Sequence, residues 1–587
     1  MSLRAVRVRR RPASGSPVLS AAPHPVLGRV WAGRGLSAPP DYQLKSLLAP
    51  NLSGMEAACA VLAEALMQDQ AIVVVGDFDA DGATATALAV RALRALGAKR
   101  VSWRVPDRVR HGYGLSPILV EEMFAESSHQ RADVLMTVDQ GISAHAGVDL
   151  AKQQGIKVVI TDHHLPAETL PSADAIVNPA LTGDPFPSKA LAGVGVVFYV
   201  MMALRAALRQ RDWFAKRAEP RLDQWLDLVA LGTVADLVPL DENNRRLVHQ
   251  GLQRIRAGRC TQGVRALLER AGRNLRHVTA ADLGYAAAPR LNAAGRLDDM
   301  GIGVACLLSD QEAEAQALAT QLSELNEARK AIQSQMQDEA EAQVAEQLAG
   351  LAEQFNGQDL VVLCITNDAW HAGVVGLVAG RLCERFQRPV VALAPAEPGS
   401  TELKGSARSP AGIHMRDLLA AVARQAPGVI DRFGGHARAA GLSLRREQLP
   451  AFESVLAAQA ALLSPQEDWL VSDGALSEQE LTVEAALALE QGGPWGQGFP
   501  EPVFDGRFKV IERRVVGQHH LKLRLQPSAG GAVLDAIAFG AARRLKEDWP
   551  EALHCLYRLE INRWQGRQQL QLNVLHEVEA IEDAPAQ

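Results

Sequence analysis

Between Val73 and Gly82 the chain reads VVVGDFDADG, so three carboxylates, Asp77, Asp79 and Asp81, stand at alternate positions directly after an apolar, β-branched run. Like charges this close are costly unless protons or a cation neutralise them, and a divalent cation is the obvious candidate. The pattern recurs twice: Asp139 ends the apolar run of VLMTVDQG, and Asp162, His163 and His164 end that of KVVITDHHLP. In DQWLDLVALGTVADLVPL, Asp236 lies among Val234, Ala235 and Leu237, a setting in which a carboxylate needs a charged partner or a metal. Two divalent ions roughly 3.5 to 4 Å apart need several shared carboxylates and open positions for water and substrate oxygens. Asp79, Asp81, Asp139, His163 and Asp236 are the right types for such a site. Oxygen donors with one imidazole suit Mn²⁺ or Mg²⁺ better than zinc, for which the sequence offers no cysteine cluster. The chemistry predicted is phosphoester hydrolysis. His164 is expected to turn away from a metal-bound His163, towards the scissile phosphate or leaving oxygen, and Asp162 to orient an imidazole. Asp81→Ala is expected to abolish hydrolysis without unfolding the chain, if Asp81 is an exposed ligand.

These residues act together only if the fold gathers them. AIVVVGDF predicts a buried strand and GATATALAVRALRALGA an Ala-rich helix,. Strand endings at VLMTVDQG and KVVITDHHLP, with helix-like GISAHAGVDLAKQQG between them, predict alternating strand and helix. Alternation of this kind gives a parallel sheet with right-handed crossovers. Ligands of open α/β sheets sit at the carboxyl ends of the strands, where all three acidic clusters fall. DFDADGATAT has a rival reading as the D-x-D-x-T loop of haloacid-dehalogenase-type phosphatases, but that reading gives VDQG and DHH no role. GVGVVF, from Gly193 to Phe198, is better read as packing than as a dinucleotide loop,. From about Asp310 to Phe355 an Ala-, Gln- and Glu-rich stretch with Leu318, Leu322, Leu325, Ile332 and Met336 at helical spacing predicts one long connecting helix,. A second α/β unit opens at LVVLCITNDAWHAGVVGLVAGRL, where Gly373 and Gly376 suit both tight packing and an anion at a helix start,. After Asp468, short alternating runs predict a small barrel or sandwich,. Its Arg507, Lys509, Arg513, Arg514, Lys522 and Arg524, with Phe508 and Trp564, suit stacking on single-stranded bases, or are core aromatics beside solvated charges,.

A chain of 587 residues is too long for one core,. Its net charge of −6 does not announce a polyanion binder, so any such site is local. One candidate is the Arg-rich run from Arg245 to His277, which is equally readable as a solvated helix face. Six scattered cysteines without a C-x-x-C pair suit the reducing cytoplasm,. No apolar run approaches the roughly 20 residues that cross a bilayer, so no membrane span is expected. The first forty residues are Arg-rich and without acids before Asp41, which predicts a basic disordered tail or a transit peptide.

In this order, GDFDADG, TVDQGIS, VITDHH and LGTVADLVPL resemble the motifs of the DHH phosphoesterases. PDRVRHGYGLSP, APRLNAAGRL, LNEARK, WHAGVVGLVAGRL, KGSARSPAGIHMRDLL, RFGGHARAAGLSL and WGQGFPEPVF extend the resemblance over roughly residues 45 to 580, to that family's bacterial single-strand-specific exonucleases. The resemblance implies a multi-domain α/β protein. Its parts would be a basic extension (1–44), a parallel-sheet DHH catalytic domain (45–308), a connector helix (309–355), a DHHA1 domain (356–462) and an oligonucleotide-binding β-barrel (463–587). It also implies Mn²⁺- or Mg²⁺-dependent degradation of single-stranded DNA from the 5′ end, releasing 5′ mononucleotides in repair and recombination. A monomer working in the cytoplasm with a single-strand-binding protein and a helicase is expected. By position, Asp79, Asp81, Asp139, His163 and Asp236 would be the principal metal ligands, with Asp77 close by and His164 near the scissile phosphate. Ser406 and Arg408 of GSARS would hold phosphate at the 5′ side, with His436 of GGH at the cleft, and Arg110, Tyr113, Asn292 and Arg296 would contact the strand. Val75 stands where many shorter members carry a His, and Trp495 and Phe499 stand where Phe and Asn are more usual. A phosphodiesterase for short oligonucleotides or cyclic dinucleotides is the alternative enzyme; a scaffold that has lost its ligands is the non-enzymatic one.

Overall fold

The computed structural model describes residues 5–12, 18–108, 110–125, 132–352, 362–463, 469–517, 519–542, 551–564 and 567–583. They form two compact units, Met1–Ser323 with Trp469–Gln587, and Glu324–Asp468.

The first unit contains a five-stranded, all-parallel sheet in the spatial order Val101–Arg104, Ile72–Val75, Val134–Val138, Lys157–Thr161, Ala175–Val177. Its central strands, IVVV, VLMTV and KVVIT, are nearly continuous apolar runs, as sheets covered on both faces require,. On one face Val73, Val75, Leu135, Val158 and Ile160 pack with Leu119, Val120 and Val148. Helices Ala80–Leu96 and Gly193–Gln210 cover the other. From Ile72–Val75 the chain first adds a strand on one side and then, with Val134–Val138, on the other. Such a reversal opens a crevice beyond the carboxyl ends of the two strands, and Asp77 and Asp139 follow them. Helix Gly193–Gln210 is by length and composition apolar enough to cross a membrane, contrary to the expectation that no run qualifies. Its apolar residues, including Val194, Val197, Phe198, Tyr199 and Met201, are buried in this unit, so it is a core helix.

The C-terminal strands close a five-membered barrel. Phe504–Val516 pairs with His520–Pro527 and Ala552–Trp564, and Arg567–Asp583 pairs with both Leu534–Ala538 and Ala552–Trp564. Alternation sets its faces: Leu521, Leu523 and Leu525 point into the barrel while Lys522 and Arg524 lie outside.

The Arg-rich N-terminus is not a tail over its described residues. Ala5–Arg10 is a strand inserted in parallel between Trp469–Ser472 and Arg567–Asp583. Alternation explains this, because Val6 and Val8 enter an apolar cluster with Leu556 and Val578 while Arg7 and Arg9 lie over Trp469. Arg10 grips buried Asp505 with both fork nitrogens, Nε to Oδ1 at 3.1 Å and Nη2 to Oδ2 at 2.6 Å. Helix Pro25–Ala32 continues the attachment, its Trp31 indole N–H donating to the Gly492 carbonyl at 3.1 Å.

The second unit has a mixed sheet in the order Arg432–Gly435, Ala439–Arg445, Glu402–Arg408, Val390–Pro395, Leu363–Thr366. Helices Met415–Gln425 and Leu449–Ala460 bring Leu418, Leu419, Val422, Phe452 and Leu456 to its core. The predicted connector is a single helix, Glu312–Ala352.

Arg10→Ala strands the Asp505 carboxylate in the barrel wall, since among the described residues only Ser472 Oγ, at 2.5 Å, continues to donate to it. Breaking a buried pair from one side costs about 3 kcal/mol. Guanidinium unfolding of the variant should show a loss of that size.

Candidate metal centre

The first aspartate loop is short because Asp79 leaves the strand and starts a helix. It is the N-cap of Ala80–Leu96, Oδ1 accepting from the Gly82 N–H at 2.9 Å, while Asn292 Oδ1 accepts from the Ala80 N–H at 2.8 Å. Asp77 is buried and accepts from the Phe78 N–H at 2.8 Å. Asp81, in the first turn of that helix, faces the start of a second one and accepts from the Gly193 N–H (2.6 Å) and the Val194 N–H (3.0 Å). The GVGVVF stretch therefore serves this loop and not a nucleotide. Gly193 has no alternative, since a Cβ there would lie 2.4 Å from Asp139 Cβ.

Asp139 ends its strand in a left-handed turn with φ +61°, a conformation that Asp tolerates better than most residues. Its amide remains on the ladder, donating to the Thr161 carbonyl at 3.0 Å, so the side chain turns into the crevice. His163 follows the next strand and puts Nε2 3.1 Å from Asp139 Oδ1 and 3.5 Å from Asp236 Oδ2. Asp236 arrives from outside the sheet, at the C-terminal end of helix Leu226–Ala235. The ligand atoms form overlapping triads, each within 4.8 Å: Asp77, Asp79, Asp139; Asp81, His163, Asp236; and Asp139, His163, His164.

The donor set fits a pair of hard divalent cations. It is carboxylate oxygen with an imidazole, and among the described residues no donor is aligned on the buried Asp139 Oδ1, although His163 Nε2 lies 3.1 Å away. Burial pushes Asp77 up to about 8, Asp81 to about 7 and Asp236 to about 9, with neighbouring aspartates adding to the rise. Asp139 is raised well above the ordinary range by burial and then by Asp81 and Asp79. In the absence of a cation, the cluster holds protons in place of metal.

Asp162 behaves differently. Burial pushes it up, but the ring and charge of His164 together with backbone amides pull it below the ordinary value. It accepts from the Ile142, His163 and His164 N–H groups and sits 2.8 Å from His164 Nδ1. Burial lowers the His164 pKa, but Asp162 more than offsets that and raises it to about 9. The two adjacent histidines diverge: His163 faces the ligand carboxylates, and His164 faces Asp162 and the Tyr113 hydroxyl, 3.3 Å from Nδ1. Tyr113 is exposed at the rim.

Asn292 Oδ1 accepts from the Ala80 amide, so this half-buried side chain also supports the loop. Arg110 is exposed and paired with Glu122 at 2.6 Å. Arg296 is on helix Ala288–Leu297, whose Gly295 packs against the Phe78 carbonyl. Ser406, Arg408 and His436 belong to the second unit. There Ser406 and Arg408 border the start of helix Val375–Phe386, because a Cβ on Gly376 would meet Ser406 Oγ at 3.0 Å and Arg408 Nη2 at 3.2 Å. His436 is exposed, its N–H donating to the Ala439 carbonyl at 2.7 Å.

Arg108 was missed by sequence reasoning. It lies 3.9 Å over the Phe78 ring, donates to the Gly295 carbonyl at 3.0 Å and sets a positive charge near Asp77 and Asp79. PDRVRHGYG was the available signal. Part of the Arg-rich run is spent within the unit: Arg245, Arg246, Arg256 and Arg265 donate to backbone carbonyls, and Arg254 and Arg273 pair with Asp223 and Asp282, while Arg259, Arg270 and Arg276 are exposed. Phe508 is buried against Tyr557 and takes no part in stacking. The side chain of Trp564 lies outside the described residues. Among the described residues, Phe539, 53% exposed and edge-on to His520 at 5.2 Å, is an aromatic that the barrel exposes.

Comparison with known proteins agrees with this layout. The DHH family, N-terminal domain, matches residues 71–233, the DHHA1 domain residues 356–461 and the RecJ OB domain residues 472–576. The chain is 48% identical over 582 residues to the single-stranded-DNA-specific exonuclease RecJ of Dickeya dadantii, covering 97% of this chain and 98% of that one. It is 48% identical over 579 residues to the protein of the same name in Escherichia coli, with 97% and 98% covered. A crystal structure of RecJ in complex with Mn²⁺ from Thermus thermophilus matches with a TM-score of 0.77 at 31% identity, covering 97% of this chain and 78% of that one. Fold and site together define a member of the DHH family. Within it, the chain belongs to the RecJ family.

Because the native cluster keeps protons that the unfolded chain has released, metal-free stability falls as pH rises from the ordinary carboxylate range to about 9,. A bound cation replaces those protons. The difference in Tm between Mn²⁺- and EDTA-treated protein should therefore widen from pH 6 to pH 9, as measured by scanning calorimetry.

Proposed function

We propose that this chain is a single-stranded-DNA-specific exonuclease that hydrolyses phosphodiester bonds with Mn²⁺ or Mg²⁺, working from the 5′ end and releasing 5′ mononucleotides. The observation that carries the reading is the convergence of Asp77, Asp79, Asp81, Asp139 and His163 beyond the ends of parallel strands with Asp236 at a helix end, around a buried Asp139 Oδ1 on which no donor is aligned among the described residues. When bound, a pair of divalent cations lowers the pKa of a water and neutralises charge on the phosphoryl oxygens. The residues around them do the rest. His164, raised to about 9, is protonated at neutral pH, and its ring is held by Asp162 as a donor to the scissile phosphate or leaving oxygen. Tyr113 offers its exposed ring to the terminal base. Ser406 and Arg408, beside a helix start, suit a phosphate at the 5′ side, Arg through its planar fork,; His436 assists there.

On the barrel, the exposed bases Arg507, Lys509, Arg513, Arg514 and Arg524 with Phe539 suit a sequence-tolerant track for a single strand,. An enzyme that works on DNA in repair and recombination belongs in the cytoplasm. A monomer acting with a single-strand-binding protein and a helicase completes the reading.

A single-stranded oligonucleotide labelled at its 3′ end should shorten progressively with Mn²⁺ or Mg²⁺, survive in EDTA, and survive as blunt duplex. Cleavage confined to dinucleotides or cyclic dinucleotides would instead make this a small-substrate phosphodiesterase. His164→Gln should lower kcat by roughly 10²- to 10⁴-fold with little change in Mn²⁺ affinity. Asp81→Ala is a poorer probe than the sequence suggests, since Asp81 is buried and its loss leaves the Gly193 and Val194 amides without their acceptor. Asp139→Asn keeps the shape and should bring hydrolysis to background while the thermal transition persists.

A further inference from the structure

Asp236 differs from the other ligand candidates in that no sheet strand delivers it. Its backbone N–H closes the end of a helix on the Gly232 carbonyl at 3.0 Å. The next residue, Leu237, takes φ +60° although its side chain is 69% exposed. A left-handed leucine with no packing of its own persists only where neighbouring structure imposes it. Pro239 then restricts φ, and Leu240 is buried.

What holds Leu240 is the loop from Trp495 to Pro500, which precedes the barrel. The Leu240 N–H donates to the Gln497 carbonyl at 2.6 Å. Its carbonyl accepts from Arg245 Nη1 at 2.8 Å, and the Arg245 guanidinium lies 4.3 Å over the Phe499 ring. Phe499 stacks on Trp495 at 5.0 Å and 12°, and the Trp495 indole N–H donates to the Leu489 carbonyl at 2.8 Å. Gly496 and Phe499 bond to each other through their backbones at 2.8 and 3.1 Å, closing the loop on itself. Gly498, at φ +72°, faces Pro239, whose Cβ would be 3.2 Å from any added methyl.

We infer that the Trp495–Pro500 loop is a positioning clamp for Asp236, setting the metal affinity of a centre in which it holds no ligand. Phe499, Trp495 and Arg245 are positioning residues. With the clamp opened, Leu237 relaxes to negative φ and Asp236 swings away from His163. The inference rests on Asp236 being a metal ligand, and the test separates the two claims.

Mn²⁺ affinity is read on the full chain without DNA, from the electron paramagnetic resonance of free Mn²⁺, for wild type, Asp236→Asn, Phe499→Ala and Phe499→Tyr. Phe499→Ala should bind Mn²⁺ roughly 10- to 100-fold more weakly and recover its nuclease rate at saturating Mn²⁺, while Phe499→Tyr, which keeps the ring, keeps the affinity. Unchanged affinity in a folded Phe499→Ala protein overturns the clamp, as does equal loss in Phe499→Tyr. Unchanged affinity in Asp236→Asn overturns the ligand assignment itself. Should Phe499→Ala lose its thermal transition, Gly498→Ala, which presses a methyl on Pro239, decides by the same criterion.

Discussion

Repulsion among buried carboxylates governs the first unit. Asp77, Asp81 and Asp139 are nearly inaccessible to water, and Asp236 joins them at the same crevice. In a low-dielectric setting such charges cannot all be ionised together unless a cation is present. The fold accepts this because every element that delivers a carboxylate is anchored by something else. The strand ladder fixes Asp139, two helix starts fix Asp79 and Asp81, and a helix end fixes Asp236. The repulsion is thus stored as metal affinity and does not open the loop.

The same economy separates the two histidines. Their ring centroids lie 4.4 Å apart but they face different partners, so a single DHH triplet supplies a ligand-facing ring and an acid-held ring. Asp162 escapes the fate of its neighbours because three amides and His164 compensate its charge. One carboxylate in the crevice therefore stays ionised without metal and keeps His164 protonated.

Much of this was legible in the sequence, because strand endings that carry acids are a local pattern and parallel strands bring their ends together. The long helix and the alternating barrel strands were legible for the same reason. What failed were features decided by distant partners. The Arg-rich opening reads as a tail until Asp505 and the apolar slot beside Val578 are known. Phe508 reads as a stacking ring because its burial depends on Tyr557, and Asp81 reads as exposed because Gly193 lies far along the chain. That Asn292 also supports the first aspartate loop could not be read, because the Ala80 amide it meets lies 212 positions away.

The N-terminal strand has a consequence for biosynthesis. Arg10 and Asp505 are 495 positions apart, and at 5–20 residues per second a ribosome takes roughly 25 to 100 s to cover that distance. Throughout that time Ala5–Arg10 is an unpaired edge with two exposed valines, a template for wrong pairing. Its arginines are the charges that keep such an edge from sticking while it waits. A chain released early from the ribosome lacks Arg567–Asp583 and leaves that edge without its partner.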